Sequence, residues 1–421
     1  MPKSLTPPRF GSRGRALELI RSEGPISRIE LAQNTGLTQA TISHVVRSLI
    51  RDGLVREVGR GEPTGGKPRT MLEINPDARL GIGVQLGSES IVYVVVNLRG
   101  AVVGRLRAQG AGDREPAEVI AAMAADITAL LDGLGVDRGL VVGIGLVSPG
   151  PIDRSRGVIL HVPSLLSWSG YSLRAEFERA TGLRVSLDND ATAAALGEYW
   201  LGATSDSRAY ACVYMATGIG AGIVIDGTIY RGVSSNVGEL GHMTVDVRGE
   251  LCSCGNRGCL ELFASPRAII DRASAAVAKG ELDIRLTGTV QTDLATLGMA
   301  AMRGNVVAYA LLTDAAEILA AGIVSMMNLL DLELVVLAGS AFASTGSIYL
   351  DRVQHALDTS ALSRESHRIE VRLSANVHDA AALGAATIVL QEQLDPRSLR
   401  SVSTAGGGLI RPARVPASAL T

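Results

Sequence analysis

Residues 238–265 have the sequence GELGHMTVDVRGELCSCGNRGCLELFAS and contain three of the four cysteines of the chain. A histidine precedes the cysteines, and the spacing is H-x9-C-x-C-x4-C. Thiolates and an imidazole are the ligands that tetrahedral Zn²⁺ prefers, and structural sites usually have four of them. The segment therefore predicts a Zn²⁺ site whose ligands are His242, Cys252, Cys254 and Cys259.

The alternative for this segment is a disulfide loop in a secreted protein. Three clustered cysteines leave one without a partner, and the first residues, MPKSLTPPRFGSRGR, lack the apolar core of a signal peptide. Four cysteines in 421 residues also fit a reducing compartment. We therefore expect a cytoplasmic zinc protein, with Cys212 as a buried thiol outside the metal site.

Length and composition predict a multidomain α/β protein. A chain of 421 residues should form two or three domains. Hydrophobic residues make up 47% of it and aromatic residues only 3%, as expected where sheets are covered on both faces. We find no uncharged apolar run near the ~20 residues that cross a membrane, so no membrane association is expected.

Charge is distributed unevenly along the chain. Residues 1–72 contain 12 Lys and Arg against 6 Asp and Glu, whereas the whole chain has a net charge of −2. This asymmetry is typical of a nucleic-acid-binding end joined to an acidic body. A basic face that is merely solvated would give the same count.

The pattern of residues 13–72 favours nucleic-acid binding. Helices are expected over residues 13–22, 28–34 and 39–52, with Ser27 and Glu30 forming a capping box on the second. Apolar residues of the third helix recur at helical spacing, which turns the intervening polar residues outward. This arrangement predicts a helix-turn-helix whose third helix contacts DNA.

Two short strands, residues 54–58 and 70–74, should follow and enclose a basic wing with the sequence GRGEPTGGKPR. Its Gly-Lys-Pro-Arg tip suits a minor groove, where negative potential is concentrated. A winged helix used for protein contacts is the alternative, but Gln, Thr, Ser and Arg are residues that reach base edges and phosphates. The predicted DNA-binding residues are Thr38, Gln39, Thr41, Ser43, His44, Arg47, Lys67 and Arg69.

The rest of the chain contains a duplicated pattern. Residues 80–106 and 209–232 each predict strand, glycine turn, strand, polar turn, strand. Helices and further strands follow both, including Pro266–Ala278, Val306–Leu330 and Leu334–Ala338. Two similar α/β lobes with a ligand-binding cleft between them are expected.

Three motifs make this body resemble the ROK family of sugar kinases and sugar-responsive repressors. They are GELGH followed by C-x-C-G-x-x-G-C-x-E over residues 238–261, N-D-A-x-x-A-A-x-G-E over residues 189–198, and TGIGAG over residues 217–222. The resemblance extends over residues 80–392 and implies a two-lobed actin-like, ribonuclease-H-like α/β fold behind the winged helix. The expected domains are residues 8–75, lobe 1 from 78–200 plus 379–394, and lobe 2 from 201–378. The Ser-, Ala-, Gly- and Pro-rich composition of residues 395–421 predicts a disordered tail.

The resemblance also implies a sugar site. Its residues would be Asn189, Asp190, Glu239, His242 and Glu261, whose carboxylates and amide can bind pairs of sugar hydroxyls. His242 would bind zinc through one nitrogen and face the sugar with the other. This chain has Ser164 where the family often has Asn, which leaves the identity of the sugar open.

Kinase activity is not expected. The first phosphate loop of ROK kinases has the pattern D-x-G-G-T-K, whereas residues 85–90 here have the sequence QLGSES. Its glutamate would repel a triphosphate. Asp190, the position of the catalytic base, would then be a ligand-binding carboxylate without a reaction.

The sequence therefore predicts a transcriptional regulator, a repressor in the leading interpretation and an activator in the alternative, that binds a double-stranded DNA operator and responds to a small sugar effector. A homodimer or dimer of dimers is expected, because paired heads match paired half-sites. Two alternatives stay open: an active ATP-dependent sugar kinase with a DNA-binding head, and a DNA-binding protein controlled by a protein partner.

Overall fold

A computed structural model describes residues 11–60, 69–204 and 206–394 of the chain. Lys67 and the tail predicted over residues 395–421 lie outside the described residues.

The N-terminal head consists of three helices and a three-stranded antiparallel sheet of order β1-β3-β2. Its elements are α1 (Ser12–Glu23), β1 (Ile26–Ser27), α2 (Arg28–Thr35), α3 (Gln39–Arg51), β2 (Val55–Arg60) and β3 (Thr70–Ile74). The capping box is present: the Ser27 hydroxyl accepts from the Glu30 amide, and the Glu30 carboxylate accepts from the Ser27 amide at 2.8 Å. At α3 the Thr38 hydroxyl accepts from the Thr41 amide, a simple N-cap without the reciprocal bond.

The glycine turn between α2 and α3 has the geometry that the sequence predicts. Gly36 adopts a left-handed conformation with φ of 68°, which glycine reaches without a steric cost. The predicted helix and strand bounds agree to within one residue, except that β2 extends to Arg60. The two-residue strand β1 was missed because it is too short to show a period.

Lobe 1 contains a five-stranded sheet of order β10-β7-β4-β5-β6. Its elements are β4 (Leu80–Gln85), β5 (Ser90–Asn97), β6 (Val102–Gln109), α4 (Pro116–Gly133), β7 (Val141–Ser148), β8 (Ile152–Asp153), β9 (Val158–Ile159), α5 (Leu173–Thr181), β10 (Val185–Asn189) and α6 (Asp190–Trp200).

Lobe 2 contains a second five-stranded sheet, of order β13-β12-β11-β14-β15. Its elements are β11 (Ala209–Met215), β12 (Ile219–Ile225), β13 (Thr228–Ile229), α7 (Glu261–Ala264), α8 (Pro266–Ala278), α9 (Val290–Met302), α10 (Val306–Leu330), β14 (Leu334–Ala338), α11 (Gly346–Ser360) and β15 (Glu370–Leu373). The last helix, α12 (Ala380–Leu394), returns to lobe 1.

The two sheets have the same connectivity. In each, three antiparallel strands are followed by two strands that pair in parallel beside the first. The predicted duplication is therefore a duplication of topology, and the α/β class is confirmed.

Helices α6 and α12 pack against each other between the two sheets. Helix α12 contacts β4 and β7 of lobe 1, and α6 contacts β11 and β12 of lobe 2. A Cβ on Gly384 would overlap the carbonyl oxygen of Ala193, so the two backbones approach as closely as glycine allows. The cleft lies at the N-terminal end of α6.

Helix α10 is long and apolar enough, by length and composition, to cross a membrane. Asp314 and Glu317 interrupt it, and its buried face, including Leu312, Leu319 and Ile323, packs into the core of lobe 2. Such packing is typical of the central helix of a globular lobe, and α10 is the one helix of this kind among the described residues.

Candidate functional site

A cleft of about 960 Å³ separates the lobes. The structure brings all five predicted sugar-binding residues to its wall: Asn189, Asp190, Glu239, His242 and Glu261. The first two come from lobe 1 and the other three from lobe 2, so a ligand in the cleft would touch both lobes.

Asn189 and Asp190 stand where β10 ends and α6 begins. The Asn189 side chain accepts from the Thr192 amide at 3.0 Å and donates to the Gly150 carbonyl at 3.3 Å. It is therefore the N-cap of α6 as well as a cleft residue. The next carboxylate, Asp190, is only 8% exposed and accepts from the Ala191 amide at 2.8 Å.

Burial controls the protonation of this wall. It raises the pKa of Asp190 to about 7, the Ala191 amide opposes the shift, and the nearby Glu239 carboxylate adds to it. Burial likewise raises the pKa of Glu239; His242 opposes that shift and Glu261 reinforces it. Carboxyl groups that cluster in a cleft with raised pKa values mark a candidate ligand site.

Glu261 is positioned by a glycine turn. A Cβ added to Gly218, in the turn between β11 and β12, would lie 2.7 Å from Glu261 Oε2. A Cβ on Gly241 would lie 3.4 Å from the Glu261 side chain, a looser contact. The TGIGAG motif thus leaves space for a carboxylate at the cleft, whatever other role it has.

The four predicted metal ligands converge beside the cleft. One donor atom from each of His242, Cys252, Cys254 and Cys259 lies within 4.8 Å of the others. Cys252 Sγ is 3.7 Å from His242 Nδ1, and Cys254 Sγ is 3.7 Å from Cys259 Sγ. The cysteines are free thiols, and Cys212 is separate and fully buried, as expected.

These distances suit a tetrahedral ion. Zinc–sulfur bonds of about 2.3 Å place neighbouring ligand atoms about 3.8 Å apart in a tetrahedron. Three thiols and one imidazole nitrogen are a complete structural set. The residues present therefore fit a bound metal, and two of them, His242 and Cys254, also line the cleft.

The cleft contains further residues that the sequence analysis either did not predict or did not assign a role. His161 and Ser164 line the lobe 1 side, close to the buried Trp168. Trp168 packs edge-on against Tyr171, with ring centroids 5.9 Å apart. Only the departure at Ser164 gave a signal; His161 lies in a loop with no motif.

Polar contacts join the lobes at one end of the cleft. Arg231 of lobe 2 makes a two-pronged ion pair with the buried Asp188 of lobe 1, at 3.0 and 2.7 Å. Nearby, the Asn236 amide exchanges hydrogen bonds with the backbone of Ile152. These contacts hold one edge of the cleft in place.

Two residues of the altered loop, 85–90, also cross between lobes. Gln85 Nε2 donates to the Tyr214 hydroxyl at 2.7 Å. The Glu89 carboxylate accepts from the Val290 and Gln291 amides, at 3.2 and 3.4 Å, at the N-terminus of α9. The loop is thus attached to lobe 2 by the residues that differ from the kinase pattern.

The recognition helix presents its predicted face to solvent. Thr38, Gln39, His44 and Arg47 are exposed, whereas Thr41 and Ser43 are half-buried. Arg69 is 39% exposed and lies 3.9 Å from Glu30. The apolar side of α3, including Ile42 and Val46, is fully buried.

A two-lobed sugar-kinase-like body with four clustered His and Cys side chains beside its cleft and a winged helix at its N-terminus defines a class of sugar-linked DNA-binding regulators. The ROK family profile matches residues 81–392, and the winged helix-turn-helix DNA-binding profile matches residues 12–56. The chain belongs to the ROK family.

Named relatives align with most of this chain. The chain is 29% identical to the xylose repressor of Bacillus subtilis (strain 168), over 90% of this chain and 94% of that one. It is 28% identical to the DNA-binding transcriptional dual regulator NagC of Escherichia coli (strain K12), over 90% and 91%. A crystal structure of a ROK family transcriptional regulator, a homolog of the E. coli MLC protein, is similar with a TM-score of 0.74 and 27% identity, covering 91% and 96% of the two chains. The names of all three describe repressors or regulators of transcription.

Proposed function

We propose that this protein is a cytoplasmic, sugar-responsive repressor that binds operator DNA through its winged helix and releases it when a sugar occupies the cleft. The observation that carries the proposal is the convergence of Asn189, Asp190, Glu239, His242 and Glu261 from two lobes on one cleft.

Sugar recognition follows from the chemistry of this wall. Each sugar hydroxyl both donates and accepts, so carboxylates can bind adjacent hydroxyls in pairs. Because Asp190 is buried and the other wall residues are half-buried, an analogue lacking one hydroxyl would leave a carboxylate without a partner. Contact with both lobes means that binding favours a closed cleft.

Zn²⁺ is the proposed metal. His242, Cys252, Cys254 and Cys259 would hold it, with His242 bound through Nδ1 and Nε2 turned to the sugar. The ion would fix the orientation of the imidazole and of the segment that carries Glu239 and Glu261. No catalytic step is assigned to it.

The altered loop 85–90 supports the absence of kinase activity. Gln85 and Glu89 are engaged with lobe 2, and Glu89 places a negative charge within the loop that would have to bind phosphate in a kinase. A cavity close to this loop, lined by Ala216, Ser340 and His378, measures about 80 Å³. Ligand pockets usually exceed about 300 Å³, so this cavity is too small for a nucleotide. Asp190 is then a sugar ligand only.

DNA binding would use the exposed side of α3 and the wing. Gln39 can contact a base edge, and Arg47 a phosphate. A homodimer or dimer of dimers would place two heads on half-sites related by twofold symmetry, which light scattering on the purified protein would detect.

The test uses the full chain, loaded with zinc, in two stages. Duplexes are first selected from a random pool, and the best one is labelled for fluorescence anisotropy. D-xylose, N-acetyl-D-glucosamine and D-glucose are then added separately, and we expect one of them to weaken operator binding by about 10-fold or more. The variant Gln39→Ala should bind the same duplex about 10-fold more weakly and discriminate less between base changes.

Two outcomes would contradict the proposal. Thermal stability unchanged by every sugar would favour control by a protein partner. Release of ADP from ATP with any sugar, at a rate above about 1 s⁻¹ typical of enzymes, would favour the kinase.

A further inference from the structure

Helix α6 connects the cleft directly to the DNA-binding head. Its first turn carries Asp190, capped by Asn189, at the cleft. Its last residue, Trp200, contacts Arg21 of α1 in the head. Eleven residues of helix span about 16 Å, so one rigid element joins the two sites.

We propose that α6 transmits sugar binding to the head, and that the contact between Arg21 and Trp200 is the point at which the signal reaches it. This inference rests on the proposed function, because it supplies the coupling which that function requires. It assigns Arg21 and Trp200 as positioning residues that contact neither sugar nor DNA.

Burial makes α6 move as a unit. Nine of its eleven residues are buried, so the helix has little freedom to bend or fray. It packs against α12 along Gly197, where a Cβ would lie 3.0 Å from the Gly384 backbone. Close-packed interiors transmit displacements instead of absorbing them.

Lobe 2 holds α6 along its length. The Tyr210 hydroxyl donates to the Ala195 carbonyl at 2.6 Å, and the Ser374 hydroxyl donates to the buried Glu198 carboxylate. A Cβ on Gly222 would collide with the Ala191 carbonyl oxygen, so β12 lies directly on the helix. Movement of lobe 2 toward a sugar would therefore displace α6 relative to lobe 1.

The contact between α6 and the head has a specific geometry and is largely shielded from solvent. Arg21 donates to the Trp200 carbonyl at 2.7 Å, and its guanidinium lies 4.0 Å from the centroid of the indole ring. Glu18 holds the other side of the guanidinium in a two-pronged ion pair, at 2.9 and 2.6 Å. The side chains of Arg21 and Glu18 are 7% and 14% exposed. Such planar stacking and forked bonding suit arginine and not lysine.

The head is also seated on the same lobe by apolar packing. Residues of α1, including Leu17 and Ile20, belong to one buried cluster with Trp200 and with Leu383 and Leu390 of α12. The head therefore has a defined position on the body, which a shift of α6 can change.

The experiment compares Arg21→Met with Arg28→Met in the full, zinc-loaded chain. Arg28 forms a 2.7 Å ion pair with Glu57 inside the head, so its variant controls for the loss of a head arginine. Operator affinity is measured by anisotropy with and without saturating D-xylose, N-acetyl-D-glucosamine or D-glucose, and sugar affinity by calorimetry.

For Arg21→Met we expect unchanged sugar affinity, within about 2-fold, and a sugar effect on operator binding reduced from about 10-fold to below about 3-fold. Arg28→Met should keep the full effect. Arg21→Lys should restore only part of it, because a charge returns without the fork and the stack. If Arg21→Met is unfolded by circular dichroism, the double variant Glu18→Gln with Arg21→Met, which leaves no isolated charge, replaces it.

Two results would contradict the coupling through α6, and they can be told apart. A full sugar effect in folded Arg21→Met would overturn the role of this contact and leave the proposed function standing. No sugar effect in the natural sequence would overturn the proposed function and, with it, the coupling.

Discussion

The turn between β4 and β5 in lobe 1 and the turn between β11 and β12 in lobe 2 occupy equivalent places in two sheets of the same strand order. In lobe 2 the turn keeps its glycines, and Gly218 makes room for Glu261 at the cleft. In lobe 1, Gln85 at the end of β4 and Glu89 in the turn both bond across to the other lobe. The same pair of strands and turn therefore leaves room for a ligand-binding carboxylate in lobe 2 and attaches the two lobes to each other in lobe 1.

The largest expected effect concerns the His242, Cys252, Cys254 and Cys259 cluster, the proposed zinc site, which among the described residues only lobe 2 has. We expect Cys254→Ser to lose bound zinc and, with it, the thermal shift that sugar produces, because His242 and the segment carrying Glu239 lose their anchor. Binding of structural zinc to zinc-finger peptides is worth about 10 kcal/mol or more, so loss of the ion should be a large effect. Elemental analysis gives the metal content, and calorimetric scanning gives the sugar shift.

Cys212→Ala is the matched control, because this thiol is buried outside the cluster. It should keep both the zinc and the sugar shift. A normal sugar shift in zinc-free Cys254→Ser would break the link between the cluster and the cleft.

Asp190→Asn tests the lobe 1 wall of the cleft. Loss of a charged hydrogen-bond acceptor should weaken sugar binding by about 100-fold, the equivalent of about 3 kcal/mol. Burial raises the pKa of Asp190 to about 7, so its contribution to stability is greatest at low pH and is lost as pH rises from about 4 through about 7. The amide variant should therefore be more stable than the natural protein at pH 8, by about 1–4 kcal/mol, in urea unfolding.

Glu198→Gln is the control on the same helix. Glu198 is 3% exposed, and burial raises its pKa, but it bonds Ser374 away from the cleft. Its amide variant should bind sugar normally. Unchanged sugar affinity in Asp190→Asn would remove this carboxylate from the site.

Alanine at the two equivalent turns compares them directly. Gly218→Ala places a Cβ 2.7 Å from Glu261 Oε2 and should weaken sugar binding by about 10-fold, or about 1.4 kcal/mol, by displacing that carboxylate. Gly87→Ala places a Cβ 2.7 Å from the Ser90 carbonyl oxygen and should cost about 1 kcal/mol of stability without changing sugar affinity. Equal losses of sugar affinity, measured by calorimetry, would show that the turns are not specialised.

The smallest effect is expected for Glu89→Gln. A carboxylate at a helix N-terminus contributes about 0.3–1 kcal/mol, so the neutral variant should unfold at slightly lower urea concentration. High salt should reduce the difference, because the group is exposed. A difference that persists in 1 M salt would mean that Glu89 does not act through its charge.

The features that the sequence predicted correctly are those that depend on residues close together in the chain. The capping box of α2, the bounds of α8, α10 and β14, and the convergence of the four metal ligands follow from local patterns. The five residues of the cleft wall were identified through the family resemblance, since Asn189 and Glu261 are far apart in the chain.

Contacts between distant segments could not be predicted in this way. No sequence feature near Gln85 indicates that its side-chain amide will donate a hydrogen bond to Tyr214. No periodic pattern predicts the contact between Arg21 and Trp200. The second role of Asn189, as a helix cap, depends on where β10 ends. Such partners are fixed by the packing of the lobes, which a single sequence does not reveal.

The placement of α12 determines when the molecule can assemble on the ribosome. Glycines 81, 83 and 145 in β4 and β7 leave the space that α12 fills, and the head packs against the same helix. Lobe 1, and the surface of α12 against which the head packs, can therefore fold completely only after all of lobe 2 has been synthesised. A nascent chain that stops before residue 380 leaves that apolar surface uncovered and exposed to aggregation or proteolysis. Truncated products would then be cleared instead of occupying operators without a sugar response.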